Sequence, residues 1–260
     1  MIKSAFITVG LLVSSRLSYA QGHPQLISDF RQTSAVIDSA FGRCSGDTGP
    51  GNCTTIALIK AALAEFGSIN AVFTSFRRAE DSTRCTFHDG TRVAVGAGEL
   101  DTVRKMAGIK ALKGQTSTFQ QDALTMYTLI CKRMWVLHKD FTDRNNAKGG
   151  CVKSFTNAVS LLDSGYPTRD AYRLLALHAV WITDYSLLAT TPAAVIYCGP
   201  HAAFCTMGQQ DRFGTTFNIH QVETMKAGKP TARWMMGRAK KNGLIPESPI
   251  IGAYQLALPD

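Results

Sequence analysis

A cysteine that follows a glycine-rich turn and opens an apolar helix has the setting that a thiol nucleophile requires. Residues 49–51 are Gly-Pro-Gly and predict a tight loop. Asn52 is a suitable N-cap, so Cys53 is expected in the first helical turn. The unpaired amides and the helix dipole there lower a thiol pKa, and the same amides can stabilise an oxyanion. Cys53 is therefore the candidate nucleophile. The alternatives are a small residue filling a helix start, or a disulfide with Cys44.

A nucleophilic cysteine needs an imidazole base, and His201 has the most suitable context for that role. It follows a predicted strand at 193–198 and a Gly-Pro break, and it opens a second strand-like run at 201–207. Asp211, in the turn expected after that run, could accept the ring N–H and fix the tautomer. The alternatives are a strand-edge histidine bonded to backbone and an ordinary turn aspartate. The remaining histidines have weaker contexts: His23, His88, His138, His178 and His220.

In the order Cys53, His201, Asp211, the chain resembles the papain-like cysteine peptidase superfamily, in the style of calpain-type domains. Gly-Asn-Cys53 opens an apolar helix, His201-Ala-Ala opens a strand, and the two residues are 148 positions apart (201 − 53). The resemblance implies an α+β fold, in which a helical lobe carrying the cysteine packs on an antiparallel sheet lobe carrying the histidine. It also implies that a protein or peptide substrate lies between the lobes.

Three positions depart from that family pattern, and one of them is the residue after Cys53, which is not tryptophan. Asp47 stands where the family has an oxyanion-donating glutamine, and a carboxylate cannot donate unless it is protonated. Asp211 stands where asparagine is more common. The segment 46–53 is also similar to ovarian-tumour-type deubiquitinases, which carry aspartate near Gly-Asn-Cys. Asp47 and Asn52 are therefore kept as the residues beside the oxyanion site.

Helical spacing of apolar residues predicts helices at 119–136, 155–163 and 168–187, which would form the helical lobe. Residues 87–95 read as a hairpin end and a strand, interpreted as a surface excursion, with a short helix after it. No repeat or confident linker interrupts the chain. Residues 21–260 are therefore expected to form a single catalytic domain of two lobes.

The first twenty residues have the pattern of a signal peptide. Lys3 precedes a short apolar run at 5–13, and Arg16 is an unusual charge after that run. Ser-Tyr-Ala at 18–20 predicts cleavage before Gln21. The alternative is an uncleaved N-terminal anchor. No later segment is apolar enough to span a bilayer, so the protein is expected to be secreted or periplasmic.

The cysteine count and the charge bear on disulfides, metal sites and nucleic-acid binding. Seven cysteines in an oxidising compartment predict disulfides with one thiol left over. No spacing indicates a metal site or a cofactor. Cleavage would reduce the formal charge from +9 to +7 (9 − 2), but the basic residues are scattered and lack a nucleic-acid motif.

The sequence thus predicts a secreted thiol hydrolase that cleaves amide or isopeptide bonds with Cys53, His201 and Asp211. Two alternatives stay open. One is a transglutaminase-like acyl transferase, which would use the same residues but pass the acyl group to an amine. The other is a catalytically inactive, disulfide-stapled secreted binding protein.

Overall fold

The fold combines helices with antiparallel sheets, which confirms the α+β class. The structure is a computed structural model that describes residues 27–28, 52–111, 117–139, 141, 152–163, 170–198, 201–212, 215–226, 229–236 and 248–259. The predicted signal peptide, Asp47, Cys44 and Cys151 lie outside these residues.

The α-helices of the described ranges begin with the one that carries Cys53. They are α1 (Cys53–Phe66), α2 (Ile69–Val72), α3 (Ala97–Met106), α4 (Ser117–Val136) and α5 (Phe155–Leu162). Helix α1 is buried over eleven of its fourteen residues, so it is a core helix rather than a surface helix. It ends at Gly67, whose φ of 77° is left-handed and whose N–H donates to the carbonyl of Leu63, an arrangement that glycine favours at a helix C-terminus.

The strands form separate antiparallel sheets. In chain order they are β1 (Ile27–Ser28), β2 (Ser75–Arg78), β3 (Ser82–Thr86), β4 (Arg92–Gly96), β5 (Lys110–Ala111), β6 (His178–Trp181), β7 (Ala194–Cys198), β8 (His201–Thr206), β9 (Gln209–Arg212), β10 (Thr215–Asn218), β11 (His220–Lys226), β12 (Lys229–Met236), β13 (Ser248–Pro249) and β14 (Gly252–Ala257). The largest is a six-stranded sheet in the order β10-β9-β8-β7-β14-β6. The others are β11-β12-β13, β2-β3-β4 and the pair β1-β5.

The six-stranded sheet has an apolar cluster on each face. Alternate residues of its strands, such as Tyr197, Ala202 and Phe204, belong to the cluster that contains α1 and the other helices. The residues between them, such as Cys198 and Ala203, belong to a second cluster. That cluster also contains Ile219 before β11, Met236 at the end of β12 and Ile250 after β13. A side chain's position along a strand therefore decides which of the two clusters it meets.

The helix predicted over 168–187 is wrong. In this stretch Ala171–Leu175 and Tyr185–Ala189 are short 3₁₀ turns, and strand β6 lies between them. Ala176 takes a left-handed φ of 54°, which ends the first turn. Strand β6 then pairs with β14 near the end of the chain, so a distant strand overrides the local helical spacing.

The segment 87–95 is more than the surface excursion that was expected. It completes a hairpin with Gly90 at a φ of 81°, and β4 pairs with β3 in the sheet β2-β3-β4. Cys85, Phe87, Val93 and Val95 are buried in the cluster that contains α1. One face of this small sheet therefore belongs to the protein core.

Candidate functional site

Cys53 is the first residue of α1, where the sequence predicts it. The first hydrogen bond within the helix joins the N–H of Ile56 to the carbonyl of Asn52 at 3.0 Å. The N–H groups of residues 53–55 consequently have no acceptor within the helix, as at any helix start. Cys53 is only 7% exposed and belongs to the apolar cluster that also contains Ala202 and Phe204 of β8. Cys53 is thus part of the core cluster on the face of the six-stranded sheet that α1 covers.

Asn52 holds the start of α1 in place, but not as the side-chain cap that was expected. Its side chain accepts no capping hydrogen bond. Its Nδ2 instead donates to the carbonyl of Ala107 at 2.7 Å and to Oδ1 of Asp163 at 3.3 Å. An amide nitrogen has two hydrogens, and both are used here. The Asn52 side chain therefore anchors the helix start to the ends of α3 and α5 and has no hydrogen left for an oxyanion.

A half-buried carboxylate next to this anchor was not anticipated from the sequence. Tyr127 of α4 donates its hydroxyl to Oδ1 of Asp163 at 2.5 Å. Burial raises the pKa of Asp163 to about 6, although the hydrogen bonds from Tyr127 and Asn52 act in the opposite direction. Burial and the nearby Asp163 also raise the pKa of the Cys131 thiol. The sequence held one signal: Asp163 is the last residue of the predicted helix 155–163, and the helix dipole disfavours a carboxylate at that end.

The hydroxyl of Thr54 is a second feature that sequence reasoning missed. Its oxygen is buried and has no hydrogen-bond partner among the residues that the structure describes. Thr54 follows Cys53 directly in the first turn of α1. A threonine hydroxyl can donate one hydrogen bond, so this group is chemically suited to serve as a donor beside the thiol.

His201 begins β8, as the sequence predicts, and is 6% exposed. It lies directly opposite Cys198 in the β7–β8 ladder. Directly opposite residues of an antiparallel pair share a face of the sheet, and neighbours along a strand alternate. The register therefore directs the Cβ of His201 to the face of Cys198 and Ala203, whereas Ala202 and Phe204 point towards the cluster that contains Cys53.

Asp211 binds a lysine of the helix that carries Cys53. It lies within β9 rather than in a turn, because the chain reverses at Met207 and Gly208, whose φ values are 47° and 75°. Its Oδ2 is 2.5 Å from Nζ of Lys60, and the two side chains are 2% and 3% exposed. Asp211 is opposite Phe204, on the face of the sheet that α1 covers. The structure thus brings Asp211 to Lys60, on the face opposite to the one that the register gives His201.

No family model, curated protein or solved structure matches the chain. The interpretation of the site therefore depends on its own geometry. Asp47, the other residue expected beside the oxyanion, lies outside the described residues.

The five cysteines that the structure describes are buried thiols rather than disulfides. Burial raises the pKa of Cys85 and of Cys205 to about 12 in each case. A thiol with such a pKa carries almost no thiolate at neutral pH and is a poor nucleophile. Of the two remaining cysteines of the chain, Cys44 and Cys151, the structure describes neither.

The described residues contain no group of three or more histidine, cysteine, aspartate or glutamate side chains that could hold a metal ion. None of their helices is long and apolar enough to cross a membrane.

Proposed function

We propose that the chain is a thiol hydrolase of papain-like arrangement that cleaves amide or isopeptide bonds, with Cys53 as nucleophile and His201 as base. The observation that supports this most is the position of Cys53 as the first residue of a buried helix that packs on the sheet containing β8, the strand that His201 begins. A helix start lowers a thiol pKa and supplies amide donors.

The chemistry has two halves. In this proposal the imidazole of His201, the first residue of β8, reaches around the end of the sheet from the face that the register gives it and takes the proton of Cys53. The thiolate then attacks the carbonyl carbon to form a tetrahedral oxyanion. The amide of Cys53 and the hydroxyl of Thr54 are proposed as its donors, in place of Asn52. The protonated imidazole gives its proton to the leaving amine as the C–N bond breaks and a thioester remains. Water, deprotonated by His201, then cleaves the thioester and restores the thiol.

In this proposal Asp211 is a positioning residue that acts through Lys60. Lys60 lies seven residues after Cys53 in α1, which is two helical turns and therefore the same side of the helix. The Lys60–Asp211 pair joins that side of α1 to β9 in a buried environment. It thereby fixes the height and rotation of the nucleophile's helix against the sheet.

Thiol labelling tests the nucleophile without knowledge of the substrate. Native protein is treated with iodoacetamide across a pH series, and alkylated cysteines are mapped by mass spectrometry. Cys53 should react first and with a thiol pKa below the ordinary value of about 8.5. Cys85 and Cys205 serve as internal controls, because their pKa of about 12 predicts no reaction at neutral pH. A Cys53 that reacts no faster than these controls would refute the proposed nucleophile.

The base is tested by substituting histidine. His201→Ala should raise the pKa of Cys53 alkylation and slow it at neutral pH, because the imidazolium partner is lost. His178→Ala, at an exposed histidine on β6, is the matched control. The register directs the Cβ of His201 to the sheet face opposite to the Cys53 cluster, so this comparison decides whether the imidazole acts on the thiol. Unchanged labelling in His201→Ala would leave Cys53 without its proposed base.

Product analysis separates hydrolysis from acyl transfer. A denatured protein substrate is incubated with the wild type and with Cys53→Ala, with and without a primary amine in excess. New carboxyl termini that are absent in Cys53→Ala support hydrolysis. Incorporation of the amine into the substrate would instead identify the transglutaminase-like alternative. Equal cleavage by Cys53→Ala would overturn both.

A non-catalytic binding protein is the second candidate, and two observations favour it. The Cys53 side chain is buried, and the carboxylate of Asp211 binds Lys60. A binding protein of this shape would show no hyper-reactive thiol, so the labelling experiment separates the two functions.

We also propose that the protein is exported. The apolar run at 5–13 and the small residues at 18–20 support cleavage before Gln21 and a secreted or periplasmic location. N-terminal sequencing of the protein recovered from the secretory compartment tests this, since an intact N-terminus would favour an anchor.

A further inference from the structure

The sheet β2-β3-β4 carries three arginines on one exposed face. Arg77 of β2 lies directly opposite Arg84 of β3. Arg92 of β4 lies directly opposite Thr86, which is two residues along β3 from Arg84 and on the same face. All three arginines are exposed. Cross-strand neighbours and diagonal neighbours on one face are within reach of long side chains, so the three guanidinium groups share one small surface, called here the arginine face.

The charges of the arginine face are not neutralised within the described part of the chain. The ion pairs found there involve other residues and none of these three arginines. Arg78 shows the contrast, because it pairs with Asp122 of α4 and also donates to Thr125. The opposite face packs into the core through Cys85, Val93 and Val95, so the arginine face is the one that is open to a partner.

Like charges directly opposite each other destabilise a sheet, and here Arg77 and Arg84 form such a pair. An anionic partner would remove that repulsion. Guanidinium groups favour carboxylates in particular, because their planar fork matches the two carboxylate oxygens. The surface thus has the charge and the geometry of a carboxylate-binding site.

We propose that the arginine face binds an acidic segment of a partner protein. The other side chains on this face include Ser75, Thr86 and Ala94, which are small or polar. Such residues offer no aromatic ring for stacking bases and no large apolar group for insertion into a bilayer. A carboxylate-rich peptide needs neither. This inference does not rest on the chemistry of Cys53.

Binding of a fluorescent oligoglutamate peptide, followed by anisotropy over a salt series, tests the proposal on the full chain. The wild type should bind, and binding should weaken as salt rises. Arg84→Glu places a negative charge at the centre of the face and should weaken binding at low salt by about fivefold, since an exposed charge pair contributes up to about 1 kcal/mol. Arg233→Glu, at an exposed arginine of β12, makes the same change in net charge elsewhere and should change binding less than about twofold.

Three results would overturn the proposal. One is no binding of the peptide by wild type at low salt. Another is an equal loss in Arg84→Glu and Arg233→Glu, which would mean attraction by net charge alone. The third is tighter binding of single-stranded DNA or of phosphatidylserine vesicles that Arg84→Glu abolishes, which would assign the face to another class of partner. Arg84→Gln, checked for folding by circular dichroism, repeats the test without adding a negative charge.

Discussion

Replacing Asp163 with asparagine should stabilise the protein at neutral pH. The two hydrogen bonds that reach this side chain, from Tyr127 and Asn52, are both donated to Oδ1. An asparagine oxygen can accept both of them. Asp163→Asn therefore keeps these hydrogen bonds and removes the half-buried negative charge, while an NH2 group takes the place of Oδ2.

The size of the effect follows from the pKa of Asp163. Burial raises that pKa from the ordinary value of 3.8 to about 6. Each pKa unit corresponds to about 1.4 kcal/mol, so keeping the carboxylate ionised in the folded protein costs roughly 2–3 kcal/mol at neutral pH. Because the pKa is higher in the folded state, the contribution of Asp163 to stability is greatest below about pH 4. It falls as the pH rises through about 6.

Urea unfolding of wild type and Asp163→Asn at several pH values measures this. The free energies of unfolding should be similar near pH 4, and the variant should gain an advantage as the pH rises to 7. Asp101→Asn, at an exposed aspartate of α3, is the control and should show no such divergence. A variant that is less stable than wild type at pH 7, or a difference that does not change between pH 4 and 7, would refute the reasoning.

Three further substitutions test other parts of the fold by urea unfolding. Lys60→Met should cost about 3–5 kcal/mol, because it leaves the buried carboxylate of Asp211 without its ion-pair partner, and adding Asp211→Leu should restore much of the loss. Gly67→Ala should cost about 1 kcal/mol because of its left-handed φ, whereas Gly98→Ala, where a Cβ meets nothing within 4 Å, should be neutral or slightly stabilising. Arg133→Met should cost about 3 kcal/mol, because two backbone carbonyls and an aspartate lose a buried donor.

Each of these has a clear contrary result. A double variant at Lys60 and Asp211 as unstable as Lys60→Met alone would mean that more than the ion pair was lost. Equal changes in stability at Gly67 and Gly98 would mean that the left-handed φ of Gly67 does not cause the loss. A near-neutral Arg133→Met would show that the methylene packing, and not the donors, stabilises that position.

The elements that could be predicted from the sequence are those with strong local patterns. The helix predicted at 119–136 corresponds to α4 (Ser117–Val136), and the strands predicted at 193–198 and 201–207 correspond to β7 and β8. Apolar periodicity and a glycine-proline break were sufficient there. The segment 168–187 failed because its conformation depends on pairing with β14, more than seventy residues further along.

The candidate site was predictable only in part for the same reason. The position of Cys53 at a helix start depends on its neighbours in sequence, and it was confirmed. The partner of Asp211 depends on where the chain reverses after β8. A turn at Met207 and Gly208 sets Asp211 on the face of Lys60. The contact between Tyr127 and Asp163 joins two helices that no local pattern relates.

The deep burial of α1 restricts how this site can be altered. Its amides should be among the slowest to exchange with deuterium, since only extensive opening would expose them. Almost any substitution in its first three turns is a change to packed interior, and an added or missing methylene there is felt by the surroundings. New selectivity, whether engineered or arising in evolution, would therefore have to come from loops around the helix, while the helix itself stays nearly constant.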